Sequence, residues 1–262
     1  MLSPVDIPST RQGVLHALSQ RIQGIERRAS RVSHEPVDID KSWSHLPFGE
    51  THEWFTTPSP TPADWSPPLL TLVHLARQAT HRALGIGEGS RWTVWVGRRV
   101  WPYGHALIQR AAQTQTLSRS LFIDAPECGP RLWSIDAALR CPGTVVVADA
   151  SRHDTASSRR LQLAAEAGGS IGIFARPPQE LAWISLASTR WVVSPCVHEM
   201  SGGGCGGGGV RRWGRWKVRL VRRKGLPAMD SHEWTVERCE DGGLVAVSPD
   251  VGDRSRATLA AS

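Results

Sequence analysis

The apolar positions of this chain change period repeatedly, and each change marks an element. Leu15, Leu18, Ile22 and Ile25 recur at steps of three and four, which sets them on one stripe of an N-terminal helix. Residues 30–44 are polar and carry Pro36, the composition of a linker. A domain is expected to begin at Leu46-Pro47-Phe48-Gly49, with a short strand over Glu50–Phe55 and a proline-rich loop over Thr56–Pro68. Ser66 suits an N-cap and Pro67 a first helical turn. Leu69, Leu72, Val73, Ala76 and Leu84 then trace a helical apolar face that Gly85 can close.

Further on, Trp92–Val96 and Leu121–Asp124 read as strands, and Gly129–Arg140 as a helix carrying Leu132, Ile135 and Leu139. Thr144–Asp149 is a buried strand that ends in an acid. A helix over Thr155–Ala167 follows, stopped by Gly168-Gly169, and then come strands at Ser170–Phe174 and Arg190–Ser194. Ser201–Gly209 is nearly all glycine, a flexible loop. From Arg215 to Arg222 the period is two: Trp216, Val218 and Leu220 lie on one face, Arg215, Lys217 and Arg219 on the other. Glu233–Cys239 can pair with that strand antiparallel.

Strands alternating with helices argue for an α/β fold, a mostly parallel central sheet with right-handed crossovers and an antiparallel C-terminal strand pair. Three regions are expected: residues 1–45, a helix and linker; 46–240, the α/β domain; 241–262, a flexible tail.

Charge sharpens this picture. The 262-residue chain carries a formal net charge of +7. Arg211, Arg212, Arg215, Lys217, Arg219, Arg222, Arg223 and Lys224 place eight cations within fourteen residues, so the remainder is close to neutral. A local surplus of this kind points to a polyanion or an acidic partner. Trp213 stands inside the block and can stack on a base; charge on an exposed strand also discourages edge pairing, which needs no ligand. Five cysteines without a C-x-x-C pair fit a reducing cytoplasm. The first ten residues lack the features of a secretory signal, and no apolar stretch approaches a membrane span. Most of the twelve tryptophans are expected to pack core and sheet edges.

The acid-ended strand Thr144–Asp149 is the form in which P-loop hydrolases deliver an Asp to magnesium, but their phosphate loop, G-x-x-x-x-G-K-[ST], occurs nowhere. The segment between Phe55 and Leu69, where that loop belongs, is rich in proline, which offers no N–H to a phosphate, and it has no lysine. Nucleotide hydrolysis is therefore not expected; Asp149 reads as an acid ending a buried parallel strand, with a residual cation or nucleotide site as the alternative. His153-Asp154 reads as a turn or cap rather than a dyad. His52-Glu53 lacks the second histidine of a zinc helix, and Cys196, His198 and Cys205 match no common zinc spacing. No cofactor, metal site or catalytic residue is expected.

Several stretches resemble the ImuA family, RecA-like accessory proteins of bacterial damage-induced translesion synthesis. They are Trp92-Thr-Val-Trp-Val-Gly-Arg-Arg-Val-Trp-Pro-Tyr103, Leu121-Phe-Ile-Asp-Ala-Pro126 and Arg131-Leu-Trp-Ser-Ile-Asp-Ala-Ala-Leu-Arg140. Val145-Val-Val-Ala-Asp149, Arg159-Arg-Leu-Gln-Leu-Ala-Ala-Glu-Ala-Gly-Gly169 and Ala175-Arg-Pro-Pro178 complete the set, which covers roughly residues 46–225. The resemblance implies a RecA-like sheet with a degenerate P-loop region. In it, Trp95-Val-Gly-Arg-Arg99 occupies the strand end where RecA proteins carry a catalytic Glu, and Asp149 is a vestige of the magnesium-binding position.

It further implies a non-catalytic scaffold of the SOS response, cytoplasmic and nucleoid-associated when engaged. The expected partners are an ImuB-like polymerase homologue, an error-prone replicative-type polymerase and the RecA filament, with single-stranded DNA as a further candidate. The stripe Leu15, Leu18, Ile22, Ile25 and the residues Arg211, Arg212, Trp213, Arg215, Lys217 and Arg219 are the expected contacts. Alternatives are a single-stranded DNA-binding protein using residues 211–224, a divergent ATP-dependent switch, and a cell-division inhibitor similar to SulA.

Overall fold

The computed structural model describes residues 45–58, 65–84, 92–103, 118–196, 214–224, 233–238 and 244–247. The chain divides into two compact units, residues 1–41 and 42–262, and every described residue belongs to the second. The stripe Leu15–Ile25, Arg211, Arg212, Trp213 and the glycine loop lie outside the described residues.

Nine strands form one sheet: β1 (Glu50–Thr56), β2 (Thr93–Val96), β3 (Ser120–Ile123), β4 (Val145–Asp149), β5 (Ile171–Arg176), β6 (Thr189–Pro195), β7 (Arg215–Arg223), β8 (Glu233–Arg238) and β9 (Leu244–Val247). Their order is β3-β2-β4-β5-β1-β6-β7-β8-β9. The pairings from β3 to β6 are parallel; those from β6 to β9 are antiparallel. Among the described residues three helices cross between strands: α1 (Leu69–Leu84), α2 (Cys128–Arg140) and α3 (Thr155–Gly168). The α/β class and the mostly parallel sheet thus agree with the sequence reading. The antiparallel end is three strands rather than two, because residues 244–247, expected in a tail, pair with β8.

The sheet has a core on each face. On the first, α1 lays Leu72, Val73, Leu75, Ala76 and Ala79 against Trp54, Trp95, Val145, Val147, Ile171 and Ile173. Tryptophans extend this layer beyond the helix. Trp54 of β1 stacks on Trp191 of β6 with ring centroids 5.2 Å apart, and Trp191 meets Trp234 of β8 at 5.6 Å. On the second face, α2 and α3 bury Ile135, Leu139, Leu161, Ala164 and Ala165 against Val94, Val96, Val146, Ala148 and Phe174. Consecutive residues of β2 and β4 are buried on opposite faces, which is why these strands read as unbroken apolar runs.

Local chemistry sets the ends of the elements. α1 starts at Leu69, not at the predicted Ser66 cap, since a residue before proline is held out of the helical region and Ser66-Pro67-Pro68 contains two such positions. Asp154 caps α3: its carboxylate accepts the Ser157 N–H at 2.8 Å, which holds its pKa below the usual range. At the other end Gly169 is left-handed (φ 54°). Gly168 packs so closely on α2 that a Cβ would stand 2.0 Å from the Leu139 carbonyl oxygen, so no larger residue fits there.

Candidate functional site

Parallel strands bring the ends of β2, β3, β4 and β5 to one edge, although those ends lie far apart in sequence. After β2 the chain turns to the first face, where Val100 joins that core. After the neighbouring β4 it turns to the second face, where Ala150 is buried. Adjacent strands that leave for opposite faces open a crevice between them, the usual ligand position in such sheets. Here it has a volume of about 770 Å³ and is lined by Arg98, Arg99, Asp124, Arg131, Asp149 and Arg152, among others.

Asp149 sits at its floor. One carboxylate oxygen accepts the Ser151 N–H at 2.9 Å; the other faces Arg99 at 3.7 Å and Arg131 at 4.0 Å. Arg131 reaches it from α2 and donates to the carbonyls of Pro126 and Ser151 and to the Ser151 hydroxyl. Gly97 makes room for this meeting. Its φ of 89° is left-handed, and a Cβ would stand 3.2 Å from the Asp149 Cβ and 3.3 Å from the Arg131 Cδ.

Around this floor Arg98 pairs with Asp124 at 2.6 Å, and Arg99 donates to the Trp65 carbonyl at 2.8 Å while its guanidinium lies 5.0 Å from the Trp65 ring centre. Arg152 has φ 64°, a strained conformation for a residue with a side chain, and its N–H donates to Glu180 at 2.7 Å. Arginine thus meets both Asp124 and Asp149. Among the described residues no cluster of three or more His, Cys, Asp and Glu is placed to hold a metal. The arrangement is suited to recognising charge.

His153, next to this floor, is 2% exposed, and neither ring nitrogen has a hydrogen-bond partner. Burial, reinforced by the cations Arg131 and Arg176, lowers its pKa from 6.5 to about 4. It is therefore neutral at physiological pH. It forms no dyad with Asp154, whose carboxylate caps α3.

A second constellation, which the sequence reading missed, lies under β1, β5 and β6. Glu53 of β1 accepts from Arg176 at 2.7 Å and Ser185 at 2.6 Å on one oxygen, and from Arg190 at 2.8 Å on the other. Arg176 also donates to Glu180 and to the His153 carbonyl, and Arg190 donates to the carbonyls of Glu180 and Leu181. Burial opposes the charge of Arg176, but Glu53 and Glu180 outweigh it and raise the pKa. For Arg190 burial outweighs Glu53 and lowers it. Arginine stays cationic in either case. A charged residue among His52, Trp54 and Phe55 on a buried strand was the one available signal.

The cationic face of β7 is where the period of two put it: Arg215, Lys217 and Arg219 are exposed, and Val218 is buried. β8 places acids opposite. Lys217 meets Glu233 at 2.7 Å and Arg215 meets Glu237 at 3.3 Å. Of the rejected zinc set, only Cys196 is a described residue. His52, on β1, bonds Thr189 at 2.8 Å. No helix among the described residues is long and apolar enough to cross a membrane.

No protein-family model matches the chain, and no curated protein is similar to it at a significant level.

Proposed function

We propose that this chain is a non-catalytic, RecA-like accessory protein of damage-induced translesion DNA synthesis. In this reading it is a scaffold, in contact with a Y-family-like polymerase homologue and with RecA or DNA. The observation that carries the reading is the setting of Asp149. It ends β4 at the edge where β1 also ends, as a magnesium-binding Asp must relative to a phosphate loop. Yet its carboxylate faces Arg99 and Arg131 at 3.7 and 4.0 Å. A divalent cation would meet two guanidiniums there, and a phosphate would meet a carboxylate already shared between them. Arg98 and Arg99 cannot act as a base for water at the end of β2. An NTPase frame altered in this way keeps its use as a platform.

Direct DNA binding by β7 draws less support, since Glu233 and Glu237 offset two of its four exposed cations. The test is affinity isolation of the tagged protein from DNA-damaged cells, with and without nuclease. A polymerase-related partner retained after nuclease is the expected result. Partners lost with nuclease would transfer the reading to DNA. Calorimetry with ATP and magnesium should show no binding, and saturable binding would overturn the non-catalytic assignment.

A further inference from the structure

The turn between β5 and β6 presents Ala182, Trp183 and Ile184 to solvent in succession, with Trp183 45% and Ile184 72% exposed. Exposed apolar side chains are ordinary when scattered. This tip is unusual in how it is held. Arg190 binds the Glu180 and Leu181 carbonyls, Thr155 binds the Ile184 carbonyl at 3.2 Å, and Arg222 of β7 binds the Ser185 carbonyl at 2.7 Å. The Ser185 hydroxyl donates to Glu53, and the Leu186 N–H donates to Ser158. Arg176 lies 5.7 Å from the Trp183 ring centre. Side chains from β6, β7 and α3 thus fix the backbone on both sides of three water-facing apolar residues, while β1 and β5 hold the Ser185 and Trp183 side chains. A binder prepared in this way loses little freedom on association, and tryptophan is the side chain most often dominant at an interface centre.

The rim is mainly cationic, Asp154 at the start of α3 being its one nearby acid among the described residues. Arg159 lies one helical turn beyond Thr155, which binds the tip. On the other side, the Lys224 N–H donates to the Ser188 carbonyl at 2.7 Å, and Arg223 pairs in register with Thr189. All three are exposed. Val221, 39% exposed, adds an aliphatic surface on β7. Aliphatic side chains beside Trp183 suit a protein side chain better than a stacked base, and farther along β7 Arg215 and Lys217 are engaged by Glu237 and Glu233 rather than left for a phosphate track.

We infer that the Trp183–Ile184 tip and its rim Arg159, Arg223 and Lys224 form a docking surface for an acidic segment of a partner protein that inserts an apolar side chain beside Trp183. This rests on the scaffold reading only in requiring a protein partner. The test places a benzophenone amino acid at Ala182 in the full-length chain, irradiates DNA-damaged cells and sequences the cross-linked peptide. An adduct to an Asp/Glu-rich peptide of another protein is expected. Its yield should fall about tenfold with Trp183→Ala and again with Arg223→Glu/Lys224→Glu.

Adducts to nucleic acid, to a second copy of this chain or to a segment without acids would overturn the inference. So would a yield that neither variant changes, or one no greater than at exposed Leu121 on the edge strand β3. Circular dichroism of each variant separates lost docking from lost folding. An acidic partner with no role in DNA synthesis would uphold the surface while removing the assignment to translesion synthesis.

Discussion

At the divergence of β2 and β4 the charges are graded: Asp149 and Arg131 lie buried at 4.0 Å, while Arg98 and Arg99 border solvent. Around Glu53, under β1, β5 and β6, they are sealed from water and bonded at 2.6–2.8 Å. The Arg99 side chain, facing Asp149, is 42% exposed, whereas those of Glu53 and Arg176 are 3% and 1% exposed. The contrast follows from solvation. A buried ion must have its bonds completed by the protein, and Glu53 accepts three from side chains while Arg176 and Arg190 donate to both acids and carbonyls. At the crevice mouth Arg98 and Arg99 are solvated, so the protein need not complete all their bonds. One constellation therefore holds the fold and the turn above it, and the other leaves two arginines open to solvent.

The comparison fails or holds first at Glu53. Glu53→Ala should destabilise the protein by about 3–5 kcal/mol in urea or guanidinium denaturation, because it leaves Arg176 and Arg190 buried without their shared acid. A loss under about 1 kcal/mol would mean that water reaches the network. His153, which lies between the two regions, gives the next largest effect. Its pKa falls from 6.5 to about 4 on folding, so the unfolded chain takes up the proton first as pH drops. Its contribution is complete above about pH 6.5 and is lost between there and pH 4, amounting to about 3 kcal/mol. His153→Leu should flatten this part of the pH–stability profile, and an unchanged slope would assign it to other groups.

Asp149→Asn should cost about 1–2 kcal/mol although Asp149 and Arg131 are both buried, since Asn can still accept the Ser151 N–H and Arg131 keeps its carbonyl partners. A loss as large as that at Glu53 would erase the distinction between the two regions. The smallest effect belongs to β7. Lys217→Ala should leave the denaturation midpoint where it is, at low and high salt alike, because its pairing with Glu233 stands in solvent. A salt-dependent shift would show the β7–β8 charge ladder to be structural.

The elements were legible because period reports local environment. Val145–Asp149 and Thr155–Gly168 fall within a residue or so of their predicted limits, and the alternation from Arg215 to Leu220 fixed which side chains face out. Local rules that compete were harder to weigh: Ser66 looked like a cap, and two following prolines moved the helix start. Residues 244–247 carry a short apolar run after a glycine pair, too little by itself to mark a strand, and β8 supplies the partner that makes it one.

Composition and pattern alone determined that this chain folds around a mostly parallel sheet, that it carries no phosphate loop, and that one strand presents cations. Those properties depend on residues within a few positions of one another. Only the tertiary structure decided which cations are free, since Glu233 and Glu237 reach Lys217 and Arg215 through a strand register and not through sequence proximity. It also decided where the edge opens and where it closes. The crevice gathers residues from 65 to 180, and the Glu53 network gathers residues from 53 to 190. No local rule brings such distant groups together; strand order does, through the long-range packing of two hydrophobic cores on opposite faces of one sheet.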